Sequence, residues 1–98
     1  MIRCGIAVLP SGYAAPPAAD QLVTCGFSPQ DTLTLSSAKG PLLSLQRRIV
    51  TGNGAVLEPQ ELKFLHPFSV TERSLCAVAA ALICDISPEE IVRRIPRF

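Results

Sequence analysis

The longest apolar run of the chain lies between residues 69 and 84 and predicts a buried central helix. Every residue from Leu75 to Cys84 is apolar, and a helix that is apolar all round is normally buried on most of its surface. Ser69 and Glu72 form the S-x-x-E pattern of a capping box, and Thr71 is an alternative N-cap. A membrane-spanning helix needs roughly 20 apolar residues, so no membrane span is predicted. Small residues that would let a sheet approach closely are Ala77, Ala79, Ala80 and Ala81.

Two short apolar runs near the N-terminus predict a pair of parallel strands. Ile2–Leu9 and Leu22–Phe27 have the length and apolar character of buried strands. The prolines between them predict a surface connection over residues 10–19, with room for one short helical turn at Pro17–Gln21. Apolar strands joined by a crossover are typical of parallel pairing with both faces covered.

An alternation of apolar and polar residues then predicts antiparallel strands. Thr32–Leu35 places its leucines on one face and its threonines on the other, as in a half-buried strand. After a loop at Ser36–Pro41, the alternation resumes over Leu42–Val50. Asn53-Gly54 predicts a type I′ hairpin turn, which needs a positive φ at both residues. The sheet is expected to continue at Ala55–Leu57, to break or reach an edge at Pro59, and to end at Leu62–Leu65.

The residues Ser87-Pro88-Glu89-Glu90 predict the start of a second helix, because they join a capping box to a proline at the first helical position. This helix is expected to run to Ile95 and to stop at Pro96. Together the patterns predict one α/β domain over residues 1–98. It would have a mixed sheet, with two parallel N-terminal strands and a three-stranded antiparallel part, and two C-terminal helices.

Composition narrows the class of protein. The chain has 98 residues, a hydrophobic fraction of 48%, a charged fraction of 17% and a formal net charge of +1. Nucleic-acid-binding proteins usually carry a clustered basic excess, so no nucleic-acid partner is expected. A domain this small and apolar is expected to leave an apolar patch uncovered and to self-associate. The N-terminal residues lack the sustained apolar core of a signal peptide, which predicts a cytoplasmic location.

The residues that most often carry catalysis or bind metal form no familiar site. His66 is the one histidine, and no C-x-x-C pair occurs among the four cysteines, Cys4, Cys25, Cys76 and Cys84. No zinc site is therefore predicted. Cysteines in apolar runs are expected to be buried, reduced and inert, because burial raises the pKa of a thiol. Glu89 and Glu90 are interpreted as first-turn anions rather than an acid–base pair. No catalytic residue, metal ligand or cofactor is predicted.

The order of these features resembles the back half of the central, ATP-binding domain of the Mur ligases, the ATP-dependent amino-acid ligases of peptidoglycan synthesis. That family has a strand ending in a T-[FY]-G signature, a small antiparallel sheet, an alanine-rich helix and a short helix ending in phenylalanine. The corresponding segments here are Val23–Phe27 (VTCGF), the alternating strands of residues 32–65, Leu75–Ile83 and Pro88–Phe98 (PEEIVRRIPRF). The resemblance covers nearly the whole chain.

The chain departs from that family at the positions that bind ATP. A G-x-x-G-K-[ST] loop, which cradles phosphate, is absent, and the two lysines, Lys39 and Lys63, lie in other contexts. The family's H-N-x-x-N pattern, whose asparagines contact adenine, falls on Val70, Thr71 and Ser74. A hydroxyl cannot present the paired donor and acceptor of an amide. The resemblance therefore implies a stand-alone module without ligase activity.

Two functions of different classes follow from these observations. The first is a non-catalytic, Mur-ligase-like accessory module that binds itself or another protein through the apolar edge of its first two strands. The alternative is a small-ligand module with a vestigial nucleotide or UDP-sugar site. Such a site would use Thr71, Ser74, Arg73 and Arg48, since helix N-termini and arginines attract phosphate.

Overall fold

The computed structural model describes residues 3–11, 18–37, 42–65 and 68–94. Within these ranges, seven strands precede two helices. The strands are β1 Arg3–Pro10, β2 Ala18–Gly26, β3 Leu33–Ser37, β4 Leu42–Leu45, β5 Ile49–Val50, β6 Val56–Leu57 and β7 Gln60–Lys63, and the helices are α1 Glu72–Ile83 and α2 Pro88–Arg94. In this described part of the chain, no helix combines the length and the hydropathy that a membrane crossing requires.

The predicted mixed sheet and α/β fold class are confirmed. Five strands form one sheet in the order β1-β2-β3-β4-β7, and β5 pairs with β6 separately. β1 and β2 are parallel, and β3, β4 and β7 form the three-stranded antiparallel part. β3 also runs parallel to β2, although only through the pairs Cys25–Leu33 and Gly26–Thr34.

β2 is longer than the predicted second strand. It begins at Ala18 rather than at Leu22, so the surface connection predicted over residues 10–19 is wrong at 10, 18 and 19, which are in strands. The short helical turn predicted at Pro17–Gln21 is wrong at residues 18–21, and Pro17 lies outside the described residues. The parallel ladder explains the difference, because it pairs Arg3 with Ala18 at its start and Pro10 with Cys25 at its end. Such tertiary pairing outweighs the weak strand propensity of alanine and aspartate.

The strand predicted over Leu42–Val50 is broken in two between β4 and β5. The regular strand pattern ends at Gln46, whose Nε2 donates to the Pro29 and Asp31 carbonyls at 3.0 and 2.8 Å. Arg47 likewise donates to the Gln30 carbonyl at 3.2 Å. These side-chain contacts bind the turn after β2 and end the strand. The loop predicted to start at Ser36 is also wrong at its first two residues, which belong to β3.

β5 and β6 form the predicted hairpin, with Ile49 opposite Leu57 and Val50 opposite Val56. The turn is not the predicted type I′. Five residues connect the strands, and among the described residues of this loop only Gly54 has a positive φ, of 85°. The longer loop closes through the Thr51 N–H, which donates to the Ala55 carbonyl at 2.8 Å, so Asn53 needs no left-handed backbone.

Polar side chains connect β2 to other parts of the chain beyond its short ladder with β3. The Gln21 amide exchanges two hydrogen bonds of 2.9 Å with the backbone of Val50 in β5. Farther along β2, the Thr32 N–H donates to the Thr24 hydroxyl at 3.1 Å, and the Thr24 N–H donates to the Thr32 hydroxyl at 3.4 Å. These side chains therefore join β2 to β5 and to Thr32, the residue before β3.

The N-cap of α1 lies two residues after the N-cap of its strongest sequence signal. Thr71 is the N-cap and forms the capping box with Ser74, so the box predicted from Ser69 and Glu72 is wrong and the alternative N-cap is the one used. α2 begins at Pro88 as predicted, with the Glu90 N–H donating to the Ser87 hydroxyl at 3.3 Å. Its predicted end, at Ile95 and Pro96, lies outside the described residues.

The core lies between one face of the sheet and the two helices. Buried side chains of α1, including Leu75, Val78 and Leu82, pack against sheet residues such as Val23 and Leu43. α2 adds Ile91, which is fully buried. The prediction that α1 is covered on most sides is wrong at two of its alanines, because residues 77 and 80 are exposed.

Candidate functional site

β1 forms one edge of the five-stranded sheet. Its ladder with β2 runs along the whole strand, from Arg3 to Pro10. Within the described ranges, no strand pairs with the opposite side of β1. An edge strand presents unpaired N–H and C=O groups that can template pairing with another chain.

The residues of this edge carry no charge from position 4 to position 10. The side chains of Ile6, Val8 and Leu9 are half-buried, and Ala7 is buried. Gly5 is exposed, and a Cβ built at this glycine would meet no other atom within 4 Å. The edge is therefore apolar and has free space beside its glycine.

β7 forms the other edge of the sheet and has a different character. It is four residues long and begins directly after Pro59, which cannot donate to a ladder. Glu61 and Lys63 are exposed on it. Short length, charge and proline are the features by which proteins prevent edge pairing. In β1 these features are confined to the two ends of the strand, Arg3 and Pro10, so the middle of the β1 edge lacks them.

The sheet face that points away from α1 carries exposed apolar side chains beside this edge, together with the exposed Asp20. Val8 and Val23 face the core, so the alternate residues Leu9 and Leu22 lie on the opposite face. Leu22 is 45% exposed, and Phe27, just past the end of β2, is 55% exposed. Leu22 and Phe27 are therefore exposed apolar residues near β1, and the predicted role of this region in binding a partner stays a prediction.

Three of the four predicted ligand-binding residues, Thr71, Arg73 and Ser74, lie in the first turn of α1 and at its N-cap. The Thr71 hydroxyl accepts from the Ser74 N–H at 3.1 Å. The Ser74 hydroxyl accepts from the Thr71 N–H at 2.7 Å and donates to the Thr71 carbonyl at 2.9 Å. Both hydroxyls are therefore engaged in capping the helix, while the Arg73 side chain is exposed.

The fourth predicted residue, Arg48, lies in a different part of the structure, just before β5. Its Nε lies 3.1 Å from Oε1 of Glu58, and both side chains are exposed. The hairpin that follows Arg48 contacts the far end of α1, where the Gly52 N–H donates to the Ile83 carbonyl at 2.8 Å. α1 is about 18 Å long, and no ion pair or hydrogen bond described here joins Arg48 to its first turn.

Two shallow grooves lie elsewhere on the described surface. One, of about 340 Å³, lies beside Phe27, Thr34 and Gln46. The other, of about 200 Å³, lies between β7 and the start of α2. None of the four predicted ligand-binding residues lines either groove. No described contact brings the four residues together, so the nucleotide or UDP-sugar site stays a prediction.

A buried carboxylate lies at the carboxyl end of β2, where sequence reasoning expected only a turn. Asp31 is 4% exposed, and its Oδ2 accepts from the Ser28 N–H at 3.0 Å. A Cβ built on Gly26 would lie 2.7 Å from this oxygen and 2.4 Å from Cβ of Ser11. The only sequence signal for this carboxylate was the turn pattern Ser28-Pro29-Gln30-Asp31. In the structure its hydrogen bond to the Ser28 N–H closes that turn.

The thiols of Cys25 and Cys76 lie side by side under this turn. Burial raises the pKa of the Cys25 thiol, and the neighbouring thiol, with which it shares a hydrogen bond, raises it further. A protonated buried thiol is a poor nucleophile. Cys84 is exposed. Across the described residues, no group of three or more His, Cys, Asp or Glu side chains is placed to hold a metal ion.

Comparison of the chain with protein-family models, with curated proteins and with solved structures finds no match. The resemblance to the Mur ligases therefore stays a prediction. The feature of the described residues that most favours a function is the unprotected edge of β1.

Proposed function

We propose that this chain is a non-catalytic accessory module that assembles with a second copy of itself through the edge of β1. The observation that carries the proposal is the contrast between the two edges of the sheet. β1 is eight residues long and has its one charge and its one proline at its two ends, Arg3 and Pro10, whereas β7 is short, charged and directly preceded by Pro59. An exposed, long and apolar edge strand favours pairing with another strand.

A second copy is the occupant that fits this edge best. Two copies of β1 would bring no like charges together between positions 4 and 10, and they have the same apolar character. The neighbouring exposed residues, Leu22 and Phe27, extend the apolar surface beyond the strand itself. Protein surfaces of this kind are typical of association sites.

The chemistry of the described residues supports a non-catalytic role. The carboxylate of Asp31 accepts a hydrogen bond within a turn, and that of Asp85 accepts one from the hairpin loop at Asn53. The hydroxyls of Thr71 and Ser74 cap a helix, and burial keeps the Cys25 thiol protonated. Each of these groups serves the fold, and catalysis requires a nucleophile and a base within mutual reach.

Descent from the central domain of a Mur ligase belongs to the same proposal. The alanine-rich helix packs on the mixed sheet, an arrangement that the resemblance requires. A role beside peptidoglycan synthesis, in the cytoplasm and without nucleic acid, would follow from that kinship. The net charge of +1 and the absence of a phosphate-binding loop support this form of the proposal.

Sedimentation velocity from low to high micromolar concentration tests the assembly. The wild type is expected to gain mass with concentration, whereas Gly5→Lys is expected to stay monomeric. Gly5 is exposed, has open space at its Cβ and has no left-handed φ, so the introduced lysine fits the folded monomer. A charge on an edge strand opposes pairing.

The matched control is Gln60→Lys, which adds the same charge to the exposed first residue of β7. This variant is expected to associate as the wild type does. A monomeric wild type at all concentrations would contradict the proposal. So would an equal loss of association in both lysine variants, because the β1 edge would then have no special part in assembly.

A further inference from the structure

We infer that the two copies pair antiparallel, β1 against β1, with Ala7 of each copy on the two-fold axis. The result is one continuous sheet of ten strands, five from each copy. This inference rests on the proposed function and adds the symmetry and the register of the contact.

Symmetry restricts the possible registers. Two identical edges that join side by side in one sheet are related by a two-fold axis perpendicular to the sheet. Such an axis makes the strands antiparallel and keeps the helices of both copies on the same face. Directly opposite residues of antiparallel strands share a face, so the two residue numbers of each pair add up to an even number.

Side-chain sizes then select among the even registers. With Ala7 opposite Ala7 of the second copy, Gly5 lies opposite Leu9, and Ile6 lies opposite Val8. The free space at the Gly5 Cβ then receives the leucine, and the Ile6–Val8 pairs extend the core face. All pairs from position 4 to position 10 are uncharged.

The neighbouring registers fit less well. A register centred on Ile6 would place Gly5 opposite Ala7, where two small residues leave a gap, and would place the charged Arg3 opposite Leu9. A register centred on Val8 would leave Gly5 without a partner in β1. Packing density is high in protein interiors, so the register centred on Ala7 is favoured.

The inferred pair is closed. Each copy uses its β1 edge, and the ten-stranded sheet then ends in two β7 edges. Those edges carry Pro59, Glu61 and Lys63, which oppose further pairing. The assembly is therefore a dimer and not an open fibre.

Two double variants with the same altered positions test the register. In the inferred register, position 5 of each copy faces position 9 of the other, so each pair of altered residues occurs twice. Gly5→Lys/Leu9→Glu places opposite charges in both pairs, and Gly5→Glu/Leu9→Glu places like charges in both. Cross-strand charge pairs stabilise or destabilise according to sign. The dimer dissociation constant of the like-charge variant is expected to exceed that of the opposite-charge variant by about tenfold or more. This difference is expected to shrink at high salt.

Within one chain, positions 5 and 9 are about 13 Å apart along the strand, but Asp20 of β2 lies beside Gly5 in the ladder, between the pairs Cys4–Ala19 and Ile6–Gln21. Both double variants are therefore also compared with Asp20→Asn added, which removes this charge of the same chain. Circular dichroism checks that both variants fold. A second measurement needs no variant: hydrogen exchange of the wild type at low and high concentration. Protection is expected to rise with concentration at residues 5–9 and to stay constant at residues 60–63.

Each outcome separates the inference from the proposed function. A dimer dissociation constant that depends on the sign of the introduced charges supports both the inferred register and the proposed function. Equal dissociation constants for the two double variants, or a wild-type oligomer larger than a dimer, overturn the register and its two-fold symmetry. The proposed function then still stands if Gly5→Lys alone abolishes association. A wild type that shows neither added mass nor added protection in β1 overturns both.

Discussion

The hydroxyl of Thr51 donates a hydrogen bond to the carboxylate of Asp85, although 34 residues separate the two in the chain. The same carboxylate accepts from the Asn53 N–H at 3.0 Å. Asp85 follows the end of α1 and has a φ of 67°, in the left-handed region that aspartate enters more readily than most residues. One side chain thus joins the hairpin turn to the end of the central helix.

Replacement of this carboxylate is expected to destabilise the fold. Asp85→Ala leaves the buried Thr51 hydroxyl without its acceptor and is expected to lower the free energy of unfolding by about 1–3 kcal/mol. Asp85→Asn retains one acceptor oxygen and tolerates the left-handed backbone, so a smaller loss is expected. Urea unfolding measures both, and equal losses would show that the hydrogen bonds are not the cause.

The two glycines of the parallel strands are expected to respond oppositely to the same change. Gly26→Ala would place a methyl group 2.4 Å from Cβ of Ser11 and 2.7 Å from Oδ2 of Asp31, and such overpacking typically costs about 1–3 kcal/mol. Gly5→Ala meets no atom within 4 Å and is expected to be neutral or slightly stabilising. Thermal unfolding of both variants at one low protein concentration compares them. A tolerated Gly26→Ala would mean that the Asp31 turn moves freely.

Stability is expected to fall in alkaline solution because of Cys25. Burial raises the pKa of this thiol above the ordinary value of 9.0, so the folded state keeps a proton that the unfolded state releases. The stabilisation that this difference in pKa gives the folded state is fully present below pH 9.0. It is lost as the pH rises toward the raised pKa of the folded state. The slope approaches about 1.4 kcal/mol per pH unit.

Cys25→Ala is the variant that isolates this slope, because it removes the titrating group. Its free energy of unfolding is expected to be lower at neutral pH, owing to the cavity, but to fall less steeply above pH 9. The exposed Cys84 supplies the control, since Cys84→Ser should keep the wild-type slope. Parallel curves for the wild type and Cys25→Ala would contradict the assignment.

Thr71 is expected to act on stability and not on nucleotide binding. Thr71→Ala removes the acceptor for the Ser74 N–H and should cost about 1 kcal/mol, whereas Thr71→Ser keeps the cap. In thermal-shift measurements, ATP and UDP-sugars are expected to leave the melting temperature of the wild type unchanged. A nucleotide-dependent rise that Arg73→Ala abolishes would instead establish the alternative function.

The sequence predicts those parts of the fold that local pattern determines. The apolar run of α1 and the Ser87-Pro88 start of α2 appear where the pattern places them, because burial and capping act over a few neighbouring residues. The mixed sheet is likewise recovered from the change between continuous and alternating apolar runs.

The parts that differ depend on contacts between distant residues. Ala18 is in a strand because it pairs with Arg3, and no local pattern contains that information. The strand after Leu45 breaks because Gln46 binds carbonyls of the turn at residues 29–31. For the candidate site, the apolar character of the first two strands is readable from sequence. Which of them forms the edge follows only from the strand order.

The amide of Gln21 has a consequence for what this protein can bind. A primary amide carries the same N–H and C=O groups as a peptide unit, and here it bonds the backbone of Val50 in β5, while the crossed Thr24–Thr32 hydrogen bonds join β2 to the residue before β3. These bonds tie β2 to other parts of the same chain, so we expect an incoming strand to add at the edge of β1 and not beside β2.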